Sequence, residues 1–212
     1  MPNNALSTFE PRKTPVQARS TVTVEAICEG AIQVLLSHGA DKLTTTRVAE
    51  RAGVSVGTLY QYYPNKESLL AAVFEDHLNK VTSAMEAACR EAHGKPLAAM
   101  IHHIVIAFVD IKMRRSDISV ALYKVSLDVG GPAIAKKAIQ RMRKAADAMI
   151  QTAPDADPHP DKLTLDVMFA AMGGVMKTIL ESGASAAVVR NMRDQLVLLC
   201  QSYVVAATAA RP

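Results

Sequence analysis

Apolar residues recur at intervals of three and four along most of the chain, which is the period of an amphipathic α-helix. Breaks between the periodic segments contain glycine, proline or a residue that can cap a helix. The pattern therefore predicts an all-α protein of about nine helices. They are expected over about residues 15–37, 45–52, 55–63, 65–93, 96–114, 117–128, 132–152, 160–182 and 186–208.

Composition supports this fold class and narrows the kind of protein. Half of the 212 residues are hydrophobic, so the chain can bury a core, while aromatic residues make up 4% and tryptophan is absent. Scarce aromatics with abundant alanine, leucine and methionine favour helices over sheets. The first residues lack the apolar segment of a signal peptide, and no continuous apolar run reaches the roughly 18 residues of a membrane helix. We expect a cytoplasmic protein with no membrane partner.

Cysteine and histidine positions do not indicate a metal site. Cys28, Cys89 and Cys200 are odd in number, far apart and outside any C-x-x-C spacing, which disfavours a disulfide framework or zinc. Cys28 and Cys200 are expected to be buried, and Cys89 to be the most exposed of the three. His102 and His103 are neighbours, so on a helix they point about 100° apart and cannot share one ion. We expect no metal and no cofactor.

Catalytic signatures are also missing from the sequence. It contains no carboxylate pair at helical spacing in an apolar setting, no nucleophile motif and no glycine-rich phosphate loop. The expectation is that the protein is not an enzyme. The alternative is a small helical enzyme or carrier, and turnover of a bound ligand would be the observation that supports it.

Residues 44–63 contain two short helices joined by a tight turn. Ala49 is small where two helices would cross, Gly53 can adopt the left-handed conformation of the turn, and Val54 and Leu59 are expected to point inward. This spacing predicts a helix-turn-helix. The second short helix is expected to begin at its cap, Ser55, and to end before Pro64, since the residue before a proline disfavours helical geometry.

The outward residues of that second helix are suited to the major groove of DNA. Gly57 has no side chain to hold the helix away from base pairs, and Val56 and Thr58 carry methyl groups that can meet a thymine methyl. Gln61 can pair with adenine. The alternative is a solvated helix face that contains a helix-breaking glycine.

The flanking residues are suited to the DNA backbone. Lys66 lies in the first turn of the long helix, where the helix dipole disfavours a cation unless an anion is bound. A phosphate held by Lys66, Tyr60 and Tyr62 satisfies this condition on one strand, and Thr45 and Thr46 can hold the other strand.

The stretch "TTTRVAERAGVSVGTLYQYYPNKESLL", residues 44–70, resembles the DNA-binding signature of the TetR/AcrR family of bacterial transcriptional regulators. The preceding helix, within "VQARSTVTVEAICEGAIQVLLSHG", is similar to the first helix of that family, so the resemblance covers about residues 15–75. Tyr63 departs from the phenylalanine of many relatives, and we expect it to be a core ring. The resemblance implies a homodimer whose subunits each have a three-helix DNA-binding unit and a helical domain for a small effector.

By position, the resemblance assigns roles to the residues of this stretch. Base-reading positions fall on Thr46, Val56, Gly57, Thr58 and Gln61, and phosphate positions on Thr45, Tyr60, Tyr62 and Lys66. Arg47 and Ser55 are further DNA-binding candidates. Arg12, Lys13 and Arg19 can add contacts from an N-terminal arm, or they belong to a solvated tail. The expected division of the chain is an arm over 1–14, the DNA-binding domain over 15–66, and the effector and dimerisation domain over 67–212.

The last two helices carry apolar stripes too broad for one packing partner, so they are the predicted dimer interface. Gly173 and Gly174 would let two helices approach closely. The alternative is that these stripes form core within one chain. The predicted interface residues are Val167, Ala171, Gly174, Val175, Val189, Met192, Leu196, Leu199 and Tyr203.

Methionines in the middle helices suggest a flexible pocket for an apolar or amphipathic effector, although methionine at this spacing also serves as ordinary core. The predicted lining residues are Phe74, His77, Leu78, His103, Ile104, Phe108, Tyr123, Met142 and Met172. Together with what the resemblance implies, these patterns lead us to expect a homodimeric repressor that binds a palindromic operator in double-stranded DNA and is released by a small molecule. Activation in place of repression remains an alternative.

Overall fold

The computed structural model describes residues 18–156 and 159–209. Within them the protein is helical, with one short 3₁₀ turn at Leu127–Val129 and no strand, as the periodicity predicts. The helices are α1 Ala18–His38, α2 Thr45–Ala52, α3 Val56–Tyr62, α4 Lys66–Glu91, α5 Leu97–Arg114, α6 Ser116–Val125, α7 Gly131–Ile150, α8 Lys162–Ser182 and α9 Ala186–Ala209.

Most helix ends lie within three residues of their predicted positions. The predicted helix over 117–128 differs most in character, because its last residues form the 3₁₀ turn instead of α-helix. α6 ends at Val125, and the chain reverses at Gly130, where φ is 68°. The Gly131 amide donates to the Ser126 carbonyl at 2.7 Å. A Cβ at Gly131 would lie 2.4 Å from that oxygen, so this reversal requires glycine.

The chain forms two compact units. One comprises Met1–Leu78 and Asp117–Ala135, and the other comprises Asn79–Ser116 and Lys136–Pro212. The boundaries between these units fall inside α4, after the first residue of α6, and inside α7. The predicted division between residues 66 and 67 is a functional one, and it stays a prediction.

In the first unit, α1 and α2 pack closely because both present small or branched apolar residues. Ile27 and Ala31 of α1 and Val48 and Ala49 of α2 are buried. At Gly30, a Cβ would lie 3.1 Å from the Ala52 amide nitrogen and 3.2 Å from the Val48 carbonyl oxygen. A side chain at this position would force Ala52 or Val48 to shift by a few tenths of an ångström, so glycine favours the close approach of the two helices.

The second unit is built on α5, which packs against α8 and α9. The inward faces of these helices are apolar, and Met100, Ile104, Met172 and Val204 are completely buried. Gln201 Nε2 of α9 donates to the carbonyl oxygen of Ala98 in the first turn of α5 at 2.7 Å. The methionines of α8 thus contribute to a helical core.

The N-terminus of α5 is capped by a residue distant in sequence. Pro96 precedes the helix and offers no side-chain hydrogen bond. Asp155, in the loop after α7, accepts the Leu97 amide at 2.7 Å, and Thr152 Oγ1 accepts the Gly94 amide at 2.9 Å. The loop therefore satisfies donors that local sequence leaves unpaired.

α8 is long enough and apolar enough to cross a membrane, and it is the one described helix that meets both criteria. Phe169, Met176 and Ile179 are nevertheless buried within the second unit. Core helices of globular proteins meet the same criterion, so its length and hydropathy are weak evidence for a membrane span.

Candidate nucleic-acid interface

The turn between α2 and α3 holds the helix that would read DNA. Gly53 adopts the predicted left-handed conformation with φ 68°, and its amide donates to the Glu50 carbonyl at 3.2 Å. Ser55 Oγ accepts the Thr58 amide at 3.0 Å and so caps α3, as predicted. Leu59 is fully buried and anchors the inner face of α3. The opposite face is left to the solvent.

That outer face consists of Val56, Gly57 and Gln61, all of them exposed. The two hydroxyls beside them are engaged with each other, since Ser55 Oγ lies 2.8 Å from Thr58 Oγ1. Because the Ser55 oxygen also serves as the helix cap, its role in this structure is to begin α3. The free surface of α3 therefore has small, methyl-bearing and amide groups, which are the chemistry that base edges in the major groove accept.

Gly57 has no packing reason to be glycine. A Cβ there would meet only Ser55 Oγ, at 3.7 Å, which is ordinary van der Waals contact. Its φ is not positive either. A glycine in a helix nevertheless lowers helix stability relative to alanine. The fold thus gains nothing from Gly57, in contrast to Gly30.

The hydroxyls of Thr45 and Tyr60 lie side by side. Thr45 Oγ1 lies 3.1 Å from the Tyr60 hydroxyl, which joins the first turn of α2 to α3. The major groove is about 12 Å wide, so two hydroxyls in contact cannot each hold a different strand across it. The prediction that assigns Thr45 and Tyr60 to different strands is corrected, because their hydroxyls lie side by side.

The start of α4 presents a cation on a capped helix end. Asn65 Oδ1 accepts the Ser68 amide at 2.7 Å, and Ser68 Oγ accepts the Asn65 amide at 3.4 Å, which is a reciprocal cap. This confirms Asn65 as the predicted cap. Lys66 follows it and is exposed, while Tyr62 at the end of α3 is half-buried. The ammonium of Lys66 and the phenol of Tyr62 are therefore both at least partly accessible to solvent.

Arg47 has a structural contact that the sequence did not show. Its Nη1 donates to the Lys42 carbonyl oxygen at 2.6 Å, so the guanidinium ties α2 to the loop that precedes it. Thr46 beside it is exposed. The predicted contacts of the N-terminal arm involve Arg12 and Lys13, which lie outside the described residues, and the side chain of Arg19, which is not described either.

Tyr63 is a core ring, as predicted. It is 3% exposed, and its hydroxyl lies 3.6 Å from Cys28 Sγ on α1. Burial, followed by the nearby Cys28, raises the pKa of the Tyr63 phenol well above its usual range. The ring therefore stays neutral and supports the junction of α3 and α4, where it is the C-terminal cap residue of α3.

Two family models match this chain. The one described as "Bacterial regulatory proteins, tetR family" covers residues 27–73, and the one described as "Tetracyclin repressor-like, C-terminal domain" covers residues 96–203, which is more than half of the sequence. The chain belongs to the TetR family. It is a DNA-binding transcriptional regulator, and the helix-turn-helix described above is its DNA-binding element.

Named relatives match less than half of this TetR-family chain. The fatty acid metabolism regulator protein of Bacillus subtilis is 31% identical over 65 residues, which are 31% of this chain and 34% of that protein. The nucleoid occlusion factor SlmA of Haemophilus ducreyi is 37% identical over 86 residues, 40% of this chain and 43% of that protein. The matches thus span less than half of either relative.

A solved structure agrees with the fold over nearly the whole TetR-family chain. A protein from Mesorhizobium loti MAFF303099, described as a TetR-family transcriptional regulator, superposes with a TM-score of 0.74 at 15% identity, covering 90% of this chain and 98% of that one. At this identity the likeness concerns the fold alone.

The predicted effector-binding residues have varied surroundings. His77 Nε2 lies 3.2 Å from Ser119 Oγ, whereas His103 faces Glu91 at 3.7 Å and has a side chain that is 38% exposed. Tyr123 is half-buried. The remaining six are buried: Phe74, Leu78, Ile104, Phe108, Met142 and Met172. A common pocket for these residues stays a prediction.

The predicted interface is mostly surface within this TetR-family subunit. Val167 and Leu199 are 43% and 50% exposed, and Gly174 is exposed. Half-buried members are Ala171, Val175, Val189, Met192 and Tyr203. The prediction that Leu196 belongs to the interface is corrected, because Leu196 is 1% exposed and has no surface left for a partner. Leu198, which is 57% exposed, lies on the outer face instead.

The prediction for Cys89 is wrong, whereas Cys200 is buried as predicted and Cys28, predicted to be buried, is only half-buried. Cys89 was expected to be the most exposed, but it is 2% exposed, and burial raises the pKa of its thiol to about 11. Cys200 is buried as expected, and burial raises the pKa of its thiol to about 11 too. Cys28 is half-buried beside Tyr63. A protonated thiol is a poor nucleophile, which disfavours redox sensing by Cys89 and Cys200.

Sequence reasoning missed two features that shape this unit. One is Gly30, whose only signal is an isolated glycine inside a helical pattern, a residue that usually has a packing reason. The other is the hydrogen bond between Thr45 and Tyr60, which are fifteen residues apart. No local pattern indicates that these hydroxyls meet.

Proposed function

We propose that this protein is a transcriptional repressor that binds a palindromic operator as a homodimer and dissociates when a small effector binds its helical domain. It acts in the cytoplasm, where the DNA is. The observation that carries the proposal is Gly57, an exposed glycine in α3 whose Cβ would meet only one protein atom. Because folding does not require glycine there, a partner that comes close to the backbone of α3 explains it best.

A major groove supplies such a partner. Base edges lie deep in the groove, and a helix without a side chain at its leading end can approach them most closely. Val56 and Gln61 flank Gly57 on the exposed face, with a methyl surface for thymine and an amide for adenine. We assign base reading to these three residues, with Thr46 and Thr58 beside them.

Phosphate contacts surround this reading face. Thr45 and Tyr60 together offer two hydroxyls to one phosphate. Tyr62 and Lys66 offer a phenol and an ammonium at the start of α4, where the helix dipole also favours an anion. Such contacts position the protein on the duplex without reading its sequence.

Homodimerisation is supported by the outer faces of α8 and α9. Both helices expose large apolar residues, including Val167, Leu198 and Leu199. A Cβ at Gly173 or Gly174 would meet no atom within 4 Å in the described chain. No packing inside the subunit therefore needs these glycines, while a close helix crossing with a second copy does.

The effector is proposed to be apolar or amphipathic. The middle helices bury Phe108, Met142 and Met172, and methionine side chains rearrange easily around a ligand. Effector binding would favour a conformation in which the two α3 helices no longer fit successive major grooves.

The experiment that tests the DNA-binding part is selection of genomic fragments by the purified protein at two salt concentrations, followed by sequencing. We expect a palindrome, with affinity falling steeply as salt rises because phosphate contacts release counterions. Repression is then measured with a reporter under that operator. Recovery of no common sequence, or a reporter that the protein activates, contradicts the proposal.

Two substitutions separate base reading from phosphate contact. Lys66→Ala should weaken binding to every sequence to a similar degree and reduce the salt dependence by about one phosphate. Gln61→Ala should change the preference at one base pair and cost about 1–3 kcal/mol there. Competition between the selected operator and its single-base variants measures both. An unaltered base preference of Gln61→Ala contradicts the assigned contact.

A third substitution tests the dimer. Leu199→Asp places a charge on the outer face of α9 and should convert the protein to a monomer in sedimentation velocity. Leu127→Asp is the matched control, since Leu127 is 79% exposed and lies in the 3₁₀ turn, outside α8 and α9. Equal sedimentation of the two variants as dimers would remove this face from the proposed interface.

A further inference from the structure

A groove between α7 and α8 in the second unit lies apart from the residues to which a function is assigned above. Its volume is about 440 Å³, which is within the range of small-molecule sites. It is lined by Gln140, Arg143, Lys144, Asp147, Lys162 and Leu165. Five of these six residues are polar or charged, so the groove suits a hydrophilic ligand.

One wall of the groove is held in place by a shared carboxylate. Arg143 Nη1 lies 2.6 Å from Asp166 Oδ1, and Lys162 Nζ lies 3.6 Å from Asp166 Oδ2. The hydrogen bond from Arg143 lowers the pKa of the Asp166 carboxyl, with Lys162 adding to the effect. Asp166 therefore stays ionised and keeps the two cations of α7 and α8 together.

The groove contains more cations than carboxylates. The lining includes three cations, Arg143, Lys144 and Lys162, and one carboxylate, Asp147, while Asp166 pairs with Arg143 and Lys162. Asp147 Oδ2 accepts a hydrogen bond from Gln151 Nε2 at 3.1 Å. Lys144 is exposed and forms no ion pair within the part of the chain that the structure describes.

The positive charge continues along α7. This helix contains five cations and one acid, a net charge of +4 that equals the formal charge of the whole chain. Arg141 is balanced by Glu86 at 3.1 Å. Lys136 and Lys137 are exposed and lie eight and seven residues before Lys144, which at helical spacing places them next to the stripe that lines the groove. The field at the groove therefore favours anions.

We propose that the groove between α7 and α8 is a binding site for a small polyanion, a phosphorylated or polycarboxylate metabolite held by Arg143, Lys144 and Lys162. Arg143 and the lysines supply the charge-assisted hydrogen bonds that phosphate and carboxylate oxygens accept. The site is separate from the proposed apolar effector pocket, and it does not depend on DNA binding.

The test is isothermal titration of the full-length protein with pyrophosphate and with citrate, at constant ionic strength. Both probes should bind, and a phosphate ligand is distinguished from a carboxylate ligand by which probe binds more tightly. Lys144→Gln and Lys162→Gln should each weaken binding about fivefold, since one exposed charge-assisted contact is lost. Circular dichroism confirms that each variant is folded.

Lys177→Gln is the matched control. Lys177 lies near the other end of α8, and its Nζ pairs with Glu181 Oε1 at 3.7 Å. Its substitution by glutamine removes the same charge as the substitutions in the groove. It should leave both affinities unchanged. Absence of binding at millimolar probe, or an equal loss in Lys177→Gln and Lys144→Gln, overturns the site, because the attraction would then be to net charge alone. Loss of operator binding in Lys66→Ala leaves this result unaffected, so the two proposals fail independently.

Discussion

Replacing Gly57 by alanine should strengthen the fold and weaken operator binding. The added Cβ meets only Ser55 Oγ, at 3.7 Å, so no atom of the described chain has to move. Alanine restricts the unfolded chain more than glycine does and favours helix, effects worth about 0.5 kcal/mol in the first turn of a short helix. The melting temperature should rise by roughly 1–2 °C.

The same methyl should interfere with DNA. It extends about 1.5 Å from the backbone of α3, on the face where that helix would approach the base edges. Since the interface cannot retreat without lengthening its phosphate contacts, the operator affinity should fall at least about tenfold, or about 1.4 kcal/mol. Binding to a random duplex should change much less, because phosphate contacts dominate there.

Fluorescence anisotropy with the selected operator and with a random duplex measures both effects, and urea denaturation measures stability. Gly30→Ala is the matched control: its Cβ would lie 3.1–3.2 Å from atoms of Ala52 and Val48. We expect it to lose about 1 kcal/mol of stability through overpacking. A stabilised Gly57→Ala protein that binds its operator as tightly as the wild type would refute the inference that glycine serves the DNA.

Two further predictions concern the second unit. Asp155→Ala removes the cap from the Leu97 amide and should cost about 1 kcal/mol, measured as a lower urea midpoint, whereas Asp155→Asn keeps an acceptor and should lose less. Lys112 is 3% exposed, and burial lowers the pKa of its ammonium from 10.5 to about 8. Between pH 8 and pH 10.5 the unfolded chain therefore binds more protons at Lys112 than the folded chain does. The free energy of unfolding should rise with pH by up to about 3 kcal/mol across this range, and this gain should be lost as the pH falls back to 8. The difference in unfolding free energy between wild type and Lys112→Met at pH 7.5 and pH 10 measures this contribution, and an equal difference at the two pH values contradicts it.

Helices and their ends could be predicted well because their determinants are local. The apolar period, the caps at Ser55 and Asn65, and the left-handed Gly53 act within a few residues of one another. The same locality makes α3 recognisable, since its exposed and buried faces follow from helical spacing once Leu59 is taken as its anchor. The candidate DNA-binding residues could therefore be named before the fold was known.

Faces that two helices share could be predicted only approximately. Leu196 and Leu198 differ by two residues, about 200° around α9, and the periodicity of a helix that is apolar on several sides does not show which of them faces the core. Packing of α9 against α5 and α8 decides it, with Leu196 buried and Leu198 exposed.

What the amino-acid sequence determined alone was the set of helices, their order and the chemistry on the surface of α3. Only the tertiary structure decided that Thr45 contacts Tyr60, that Asp155 caps α5, that α2 packs closely against Gly30, and that Arg143 of α7 pairs with Asp166 of α8. The physical reason is range: a helix follows from interactions among neighbours, while these contacts join residues 15 to 58 positions apart, or two different helices, and exist only after the helices pack.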